Sequence, residues 1–387
     1  MKTGWEIHSI NELCSRITDG SHNPPKGLIE KSPYRMISSQ NVFDDRLDYS
    51  DVRYLSEEDF IKENKRTSLQ KGDVLLTIVG TIGRCSVLTT EEHITLQRSV
   101  AVLRPTEKVL PRFLMYALIG SRSRLEREGH GIAQKGIYLK QLSSFELFLP
   151  SNIEEQQRIV DELDLLSGII EKKNAQLKTL DDLAQSIFNE MFGDPVVNEK
   201  KWETAKMHDV APQKAFMGTV PSENGKYWLL NLDMVESQTG RIIEKVLFEQ
   251  SEIGNSTATF NEENVLYSKL RPYLNKVVLP KEAGFCTSEL VPLLPKKGVL
   301  DRVFLAYLLR SPGFVSHINS RVAGAKMPRV TMSDFREFDV IIPSYKMQQQ
   351  FAKQVEAIDA QRVVINSSIT PAEDLFSSRM DKYFNET

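Results

Sequence analysis

Phe148-Leu149-Pro150-Ser151-Asn152-Ile153-Glu154-Glu155-Gln156-Gln157 runs from an apolar, strand-like end through a proline into a helix-start pattern. The pattern returns 193 residues later as Ile341-Ile342-Pro343 followed by Gln349-Gln350. Other landmarks repeat in the same order at nearly the same interval. Trp5-Glu6-Ile7 is echoed by Trp202-Glu203-Thr204 at 197, and Asp73-Val74-Leu75-Leu76-Thr77 by Asn264-Val265-Leu266-Tyr267-Ser268 at 191. Phe113-Leu114-Met115-Tyr116 stands against Phe304-Leu305-Ala306-Tyr307 at 191, and Gly131 to Gln134 against Gly324 to Met327 at 193. A repeat this long is not a solenoid period; it is a duplicated domain followed by a duplicated connector.

Within the first copy, short runs of strand formers at 34–37, 74–79, 99–103 and 145–149 are punctuated by Gly, Pro, Asn and Asp, with one helical segment around 111–124. This texture predicts a mixed α+β domain. After Pro150 it changes. Ser151-x-x-Glu154 reads as a capping box that opens a long helix. Ile159, Leu163, Leu166, Ile170, Leu177, Leu180, Ala184, Ile187 and Met191 then fall on alternating steps of four and three, with Lys173 the polar member. That spacing is a coiled-coil seam. At about 1.5 Å per residue it makes a rod of roughly 48 Å, and Gly193-Asp194-Pro195 stops it. The second copy keeps the register through Phe351, Val355, Ile358, Arg362, Ile365 and Ile369. Pro371 cannot continue a helix without losing a hydrogen bond, and Thr370-Pro371-Ala372-Glu373 reads as a fresh start, so a break near Pro371 is expected.

Two narrow apolar seams in one chain bury each other most simply as an antiparallel pair; the plainer alternative packs each helix on its own domain. The expected fold class is therefore α+β: two similar domains in tandem, separated by two long helices that form an intramolecular antiparallel coiled coil. Residues 1–150 form the first domain, 151–195 the central helix, 196–343 the second domain and 344–387 the C-terminal helix.

Composition narrows the function. The chain has 387 residues, 41% hydrophobic and 26% charged, enough for two or three cores and too apolar for disorder. Its longest apolar stretch, 113–119, is far too short to span a bilayer, and the N-terminus has no apolar signal core, so a cytosolic protein without membrane contact is expected. Cys14, Cys85 and Cys286 lie far apart, which excludes a disulfide framework and a cysteine zinc site. No H-x-x-x-H pair occurs, and no metal site is expected. A net charge of −3 excludes a uniformly basic nucleic-acid binder and confines any DNA contact to local patches.

No catalytic constellation emerges. Asn23-Pro24-Pro25-Lys26 resembles the base-holding motif of amino-methyltransferases, but lysine stands at the stacking position and no Gly-rich strand-to-helix turn precedes it. A proline-stiffened loop is the better reading. Val79-Gly80-Thr81-Ile82-Gly83-Arg84 lacks the ending of a phosphate cradle and reads as a turn between strands. What remains suits nucleic acid. Lys269-Leu270-Arg271-Pro272-Tyr273-Leu274-Asn275-Lys276 interleaves cations, an aromatic ring and an amide, against the alternative of a solvated basic hairpin. The first copy carries Thr81, Arg84 and the run Gln97-Arg98-Ser99 in its place. Candidate DNA-contacting residues are Ser21, His22, Thr81, Arg84, Arg98, Gln134 and Lys135 in the first domain and Lys269, Arg271, Tyr273, Asn275, Lys326 and Arg329 in the second. The copies share a frame and differ at the tips, which suits two unlike half-sites.

Taken together, Ile17-Thr18-Asp19-Gly20-Ser21-His22, Lys71-Gly72-Asp73-Val74-Leu75 leading into Gly80-Thr81-Ile82-Gly83, the 267–276 segment, Leu149-Pro150 with Glu154-Glu155-Gln156-Gln157-Arg158-Ile159-Val160, and Phe192-Gly193-Asp194-Pro195 resemble the DNA specificity subunits of type I restriction-modification systems. The likeness covers almost the whole chain. It implies two target-recognition domains that each read one part of a bipartite, asymmetric duplex sequence, with the helices as spacer. It implies docking of two modification subunits, carrying S-adenosylmethionine and the adenine-methylating site, and of restriction subunits that use ATP and Mg. No cofactor is expected on this chain. Gln156, Gln157, Gln349 and Gln350 are the candidate partner-binding residues. Met347-Gln348 departs from the acidic pair usual before the second Gln-Gln. A rod of roughly 48 Å would hold two readers one duplex turn, about 34 to 36 Å, apart. Two other classes stay open: a coiled-coil adaptor without DNA specificity, and a methyltransferase-like protein reading through Asn23-Pro24-Pro25.

Overall fold

Strand Val74–Thr77 is buried at all four positions, because it is covered on both faces. Val74 and Leu76 pack with Phe113, Leu114 and Tyr116 of helix Pro111–Gly120, while Leu75 packs with Ile37, Leu88 and Ile94. The period of two in a strand divides the residues between the two layers. This is a computed structural model and describes residues 4–90, 93–129, 136–323 and 327–385. The chain forms two compact units, Met1–Lys172 with Ser368–Thr387, and Lys173–Ser367. The long helices are thus shared between the units and do not stand apart as separate segments.

In the first unit, an antiparallel sheet orders Cys14–Asp19, Val100–Pro105, Val74–Thr77 and Cys85–Val87. A second layer pairs Arg35–Ile37 in parallel with Ile94–Leu96 and antiparallel with Arg53–Tyr54. Trp5–Ser9 pairs antiparallel with Glu146–Pro150, which closes the domain beside the start of the long helix. The second unit repeats the plan. Val277–Val278, Val265–Ser268 and Leu290–Leu293 form the central sheet, and Lys226–Leu230 pairs in parallel with Gly284–Cys286. Thr204–Lys206 and Asp339–Ile341 are the closing pair. Val265 and Tyr267 face Phe304 and Leu308 while Leu266 faces Trp228 and Phe260, the same division of faces as in the first copy. The α+β duplication read from the sequence is therefore present in the central strands, the parallel pair and the closing pair. Strand Cys14–Asp19 is answered in the second copy by the isolated bridge Gln213–Leu293, and helix Glu57–Thr67 by the single turn Gln250–Glu252. The three cysteines are free and buried, and burial pushes the Cys14 and Cys286 thiols up to about 12.

The two long helices, Ile153–Phe192 and Tyr345–Phe384, have 40 residues each, about 60 Å of helix. They pair antiparallel in both units. In the first, Tyr383 Oη donates to Glu162 at 2.6 Å, Arg379 pairs with Glu162 at 2.8 Å, and the Arg158 guanidinium lies over the Tyr383 ring. In the second, Asp181 pairs with Arg362 at 2.5 Å, and Phe188 and Phe192 meet Phe351. Among the seam residues, Ile159, Leu163, Leu166, Leu180, Phe351, Val355 and Ile358 are buried, while Ile170, Leu177, Ile187 and Ile365 are partly exposed.

Four expectations change. The second helix does not break at Pro371, which lies inside it. Both Pro371 and Ser367, whose carbonyl the proline leaves without an amide, are exposed, so water can satisfy the freed oxygen. Beyond the proline the seam resumes with Met380 and Tyr383, both buried. At its C-terminal end the first helix buries Phe188 and Phe192 completely, one residue past the expected Ile187 and Met191, because the second domain covers that face. The first helix begins at Ile153 with Asn152 as its cap, its Oδ1 accepting from Glu154 N at 2.8 Å, and Ser151 takes no part. Gln156, finally, is fully buried. Its Nε2 donates to the carbonyls of Lys108 and Pro150, and its Oε1 accepts from Leu110 N, all at 3.0 Å.

The counterpart of Gln156 is not Gln349 but Gln348, 192 residues on and also fully buried. Gln348 Nε2 donates to the carbonyls of Val299 and Pro343 at 3.0 and 2.8 Å, and its Oε1 accepts from Asp301 N at 2.8 Å. The residues that replace Glu154-Glu155 are consequently Lys346-Met347. Substituting Gln156 with alanine strands three main-chain groups and is expected to cost about 2 to 4 kcal/mol in denaturant titration, against less than about 0.5 for Gln157→Ala. Pro371→Ala restores a helix hydrogen bond and is expected to raise stability by about 1 to 3 kcal/mol, read as a higher denaturation midpoint.

Candidate nucleic-acid interface

One end of the central sheet in the first domain gathers three chain segments. Cys14–Asp19 ends there, Val100–Pro105 begins there, and the turn from Val74–Thr77 to Cys85–Val87 lies there. Gly20 passes so close to Leu96 that a Cβ would sit 2.1 Å from its carbonyl oxygen, which is why only glycine fits in Asp19-Gly20-Ser21. Ser21 N donates to Leu96 O at 2.7 Å, Arg98 N to Ser21 O at 2.9 Å, and Ile78 N to Ser99 O at 2.9 Å. These bonds lock Ser21, His22 and Arg98 beside the 78–84 turn, so His22, Thr81, Arg84 and Arg98 lie at one end of the sheet over the buried Ser21. Behind it, Asp19 binds the Arg66 guanidinium and, at 2.8 Å, His22 Nε2.

The second domain presents the same end of its sheet. The 269–276 segment joins Val265–Ser268 to Val277–Val278, and Leu270 and Arg329 form an isolated bridge. Arg271 and Asn275 both adopt left-handed backbone, at φ 49° and 51°, to bracket the single turn Pro272–Leu274. Arg271 N donates to Pro328 O at 2.8 Å, Lys269 N to Glu289 O at 3.0 Å, and Arg329 pairs with Glu289 at 2.9 Å. Lys269, Arg271, Tyr273 and Arg329 therefore come together.

The candidates separate by what holds them. Thr81, Arg98, Arg271 and Tyr273 are exposed, and Arg84 and Lys269 are half-buried. Ser21 is buried and its main chain is used by the frame, so it positions Arg98. Asn275 donates from Nδ2 to Arg310 O at 3.0 Å and is part of the turn's scaffold. Lys276, also in the basic run, is spent on Leu232 O at 2.6 Å, and burial lowers its pKa. Gln134, Lys135 and Lys326 lie outside the described residues. Of the partner candidates, Gln157, Gln349 and Gln350 are exposed, and Gln156 has no atom left for a partner. The Asn23-Pro24-Pro25 segment is irregular, with Pro25 O accepting from Arg53 at 3.0 Å.

Charge pairing sharpens this surface. Arg66, Arg104, Arg112 and Arg122 of the first domain all hold carboxylates. Among the described residues, the guanidiniums of Arg46, Arg84, Arg98 and Arg271 have neither a carboxylate nor a hydrogen-bond partner; outside these ends of the two domains, Arg127 is alike. Arg46 was not among the candidates. It sits on a hairpin of two-residue strands, Val42–Phe43 and Arg46–Leu47, whose sequence cue is the Asp44-Asp45 turn. Among the described residues no group of three His, Cys, Asp or Glu is placed to hold a metal, and no helix is long and apolar enough to cross a membrane.

Comparison with known proteins agrees with this duplication. The pattern of the type I restriction modification DNA specificity domain matches residues 2–179 and again 199–370. The chain is 30% identical over 193 residues to the type I restriction enzyme EcoBI specificity subunit of Escherichia coli, covering 48% of this chain and 39% of that protein. With the EcoDI specificity subunit of the same organism it shares 21% over 309 residues, 70% of this chain and 69% of the relative. The crystal structure of a type I restriction-modification system S subunit from M. genitalium has the same fold, with a TM-score of 0.58 at 14% identity over 100% of this chain and 97% of the other.

Arg271→Ala, which removes an unpaired side chain, is expected to change stability by less than about 0.5 kcal/mol while weakening duplex binding by about 1 to 3 kcal/mol. Asn275→Ala should do the opposite. Left-handed backbone and the lost bond to Arg310 cost about 1 to 3 kcal/mol of stability, and Asn275→Gly recovers the backbone share.

Proposed function

The chain belongs to the type I restriction modification DNA specificity family, and we propose that it is the sequence-reading subunit of such a complex, each domain meeting one half of a bipartite, asymmetric duplex target. The observation that carries this is the placing of unpaired guanidiniums, Arg46, Arg84 and Arg98 in one copy and Arg271 in the other, at the same end of a duplicated frame. An unpaired guanidinium is a fork of donors matched to guanine or phosphate, and the copies offer different sets. Different sets on one frame read different half-sites.

In this proposal the chain does no bond chemistry. Modification subunits, two per chain, supply S-adenosylmethionine binding, base flipping and adenine methylation. Restriction subunits supply ATP- and Mg-dependent translocation and cleavage. The long helices set the half-site spacing and dock the modification subunits. Their exposed Leu165, Leu183, Val363, Val364 and Leu375 support an interface there, since such apolar groups gain by leaving water. A net charge of −3, from 49 basic and 52 acidic residues, supports shared neutralisation of phosphate with the partner subunits.

The test is adenine-methylation mapping of genomic DNA in cells expressing the full chain with its cognate modification subunit. A split motif is expected, with Arg98→Ala loosening one half and Arg271→Ala the other. A continuous motif, loosening of both halves by either substitution, or no methylation with an active partner would turn the reading toward an adaptor.

A further inference from the structure

The hairpin Val42–Phe43 and Arg46–Leu47 turns through Asp45 at φ 53° and leans on the strand that follows the 78–84 turn. Asp45 N donates to Cys85 O at 2.9 Å, and Asp44 Oδ1 accepts from Cys85 N at 3.3 Å. Both carboxylates of the hairpin point back into the scaffold. Asp44 binds Arg122 at 2.5 Å and Asp45 binds Arg112 at 2.7 Å. The acids are thereby spent, and the arginines are not. The Arg46 guanidinium lies over the Phe43 ring at 4.7 Å from its centroid, and that of Arg84, from the neighbouring turn, lies over the same ring at 4.9 Å. Neither makes an ion pair or a side-chain hydrogen bond among the described residues; Asp48 is the carboxylate that feels the charge of Arg46.

Two like charges on one ring repel each other, and a cation–π contact offsets only part of that. The arrangement gains when acceptors arrive. The ring contact also restrains both guanidiniums, so less side-chain entropy is lost when their donors are used. A planar fork matches the paired O6 and N7 acceptors of guanine and can also hold a phosphate, and the loss of base preference, as against an even loss over all sequences, tells the two apart.

We propose that Phe43, Arg46 and Arg84 form one reading element of the first domain, with Phe43 the positioning residue and the two guanidiniums taking guanine edges in its half-site. This rests on the sequence-reading role proposed above. The second domain lacks the device. Its corresponding turn, closed by the Val235–Ile242 bridge, commits Arg241 to Asp181 at 2.6 Å and Gln238 Nε2 to Tyr273 O at 3.1 Å. The element therefore belongs to one half-site alone.

The experiment compares methylated motifs from the full chain with its modification subunit for wild type, Phe43→Leu, Phe43→Tyr, Arg46→Lys and Arg84→Lys, together with the thermal midpoint of each purified chain. Phe43→Leu and both lysine variants are expected to lose guanine preference about tenfold or more at one or two positions of one half-site. The other half-site should stay intact, the midpoint should hold, and Phe43→Tyr, which keeps the ring, should read as wild type. A wild-type motif from Phe43→Leu, or from both lysine variants, overturns the proposal. So does an even loss over all sequences with a shallower salt dependence, which marks a phosphate clamp. Should Phe43→Leu fail to fold, the lysine variants decide alone. Absence of a split motif in the wild-type arm counts against the sequence-reading role itself and is seen before any variant is considered.

Discussion

Each domain is joined to its helix through one buried side-chain amide. Gln156 and Gln348 sit in the first turn of their helices, and each binds three main-chain groups drawn from the closing strand and the loop before the first packed helix. An amide has a donor and an acceptor end at fixed geometry, so satisfying all three bonds leaves one direction for the helix to leave the domain. Leucine of similar size would fill the space and set no direction. The strand layers, the turn ends and the free guanidiniums are oriented relative to that amide within each unit.

The helix pairing follows a different logic in each unit. Around Ile159, Leu163, Met380 and Tyr383 the contact is largely apolar, with Glu162 bound at the margin by Arg379 and Tyr383. In the second unit Arg362 occupies a seam position, nearly buried, where Asp181 accepts from both Arg362 and Arg241. A buried ion pair of this kind returns little net stability, since desolvation offsets most of the attraction. It penalises a slip of one heptad, because every wrong register takes Asp181 from Arg362 and leaves it only Asp359 of its own helix. Arg241 joins the same acid and so ties a loop of the second domain to that register.

Duplication and seam were legible because both are periodic: side chains recur at fixed intervals whatever their detailed partners. The losses came where tertiary partners decide. Pro371 carries a strong local signal against helix, yet it lies on the exposed face of an otherwise well-packed rod, where solvent can reach the oxygen left without an amide. Phe188 and Phe192 belong to a face that becomes buried only because the second domain lies against it. Adjacent glutamines invited pairing Gln156-Gln157 with Gln349-Gln350, whereas burial sets the register at Gln348. Of the candidate contacts, composition picked out Arg98 and Arg271, which are exposed, and Arg84 and Lys269, which are half-buried. Ser21 and Asn275 could not be told from readers, because a polar residue in a turn looks the same whether it serves the frame or the solvent. Arg46 and Phe43 were missed since two-residue strands carry no periodicity.

Among the described residues the free arginines at the sheet ends belong to no core and no ion pair, whereas the groups behind them, Gly20, Asp19 with Arg66, and Asp44 with Arg122, are committed to the fold. On the proposed reading, the chemistry that meets a duplex is thereby separated from the chemistry that holds the chain together. Change at Arg84, Arg98 or Arg271 is nearly neutral for folding, so lineages can alter what they recognise one side chain at a time without passing through an unfolded ancestor. Selection on recognition and selection on stability act on different residues of the same short loops, and the pace of drift in those loops is set by the targets and not by the scaffold.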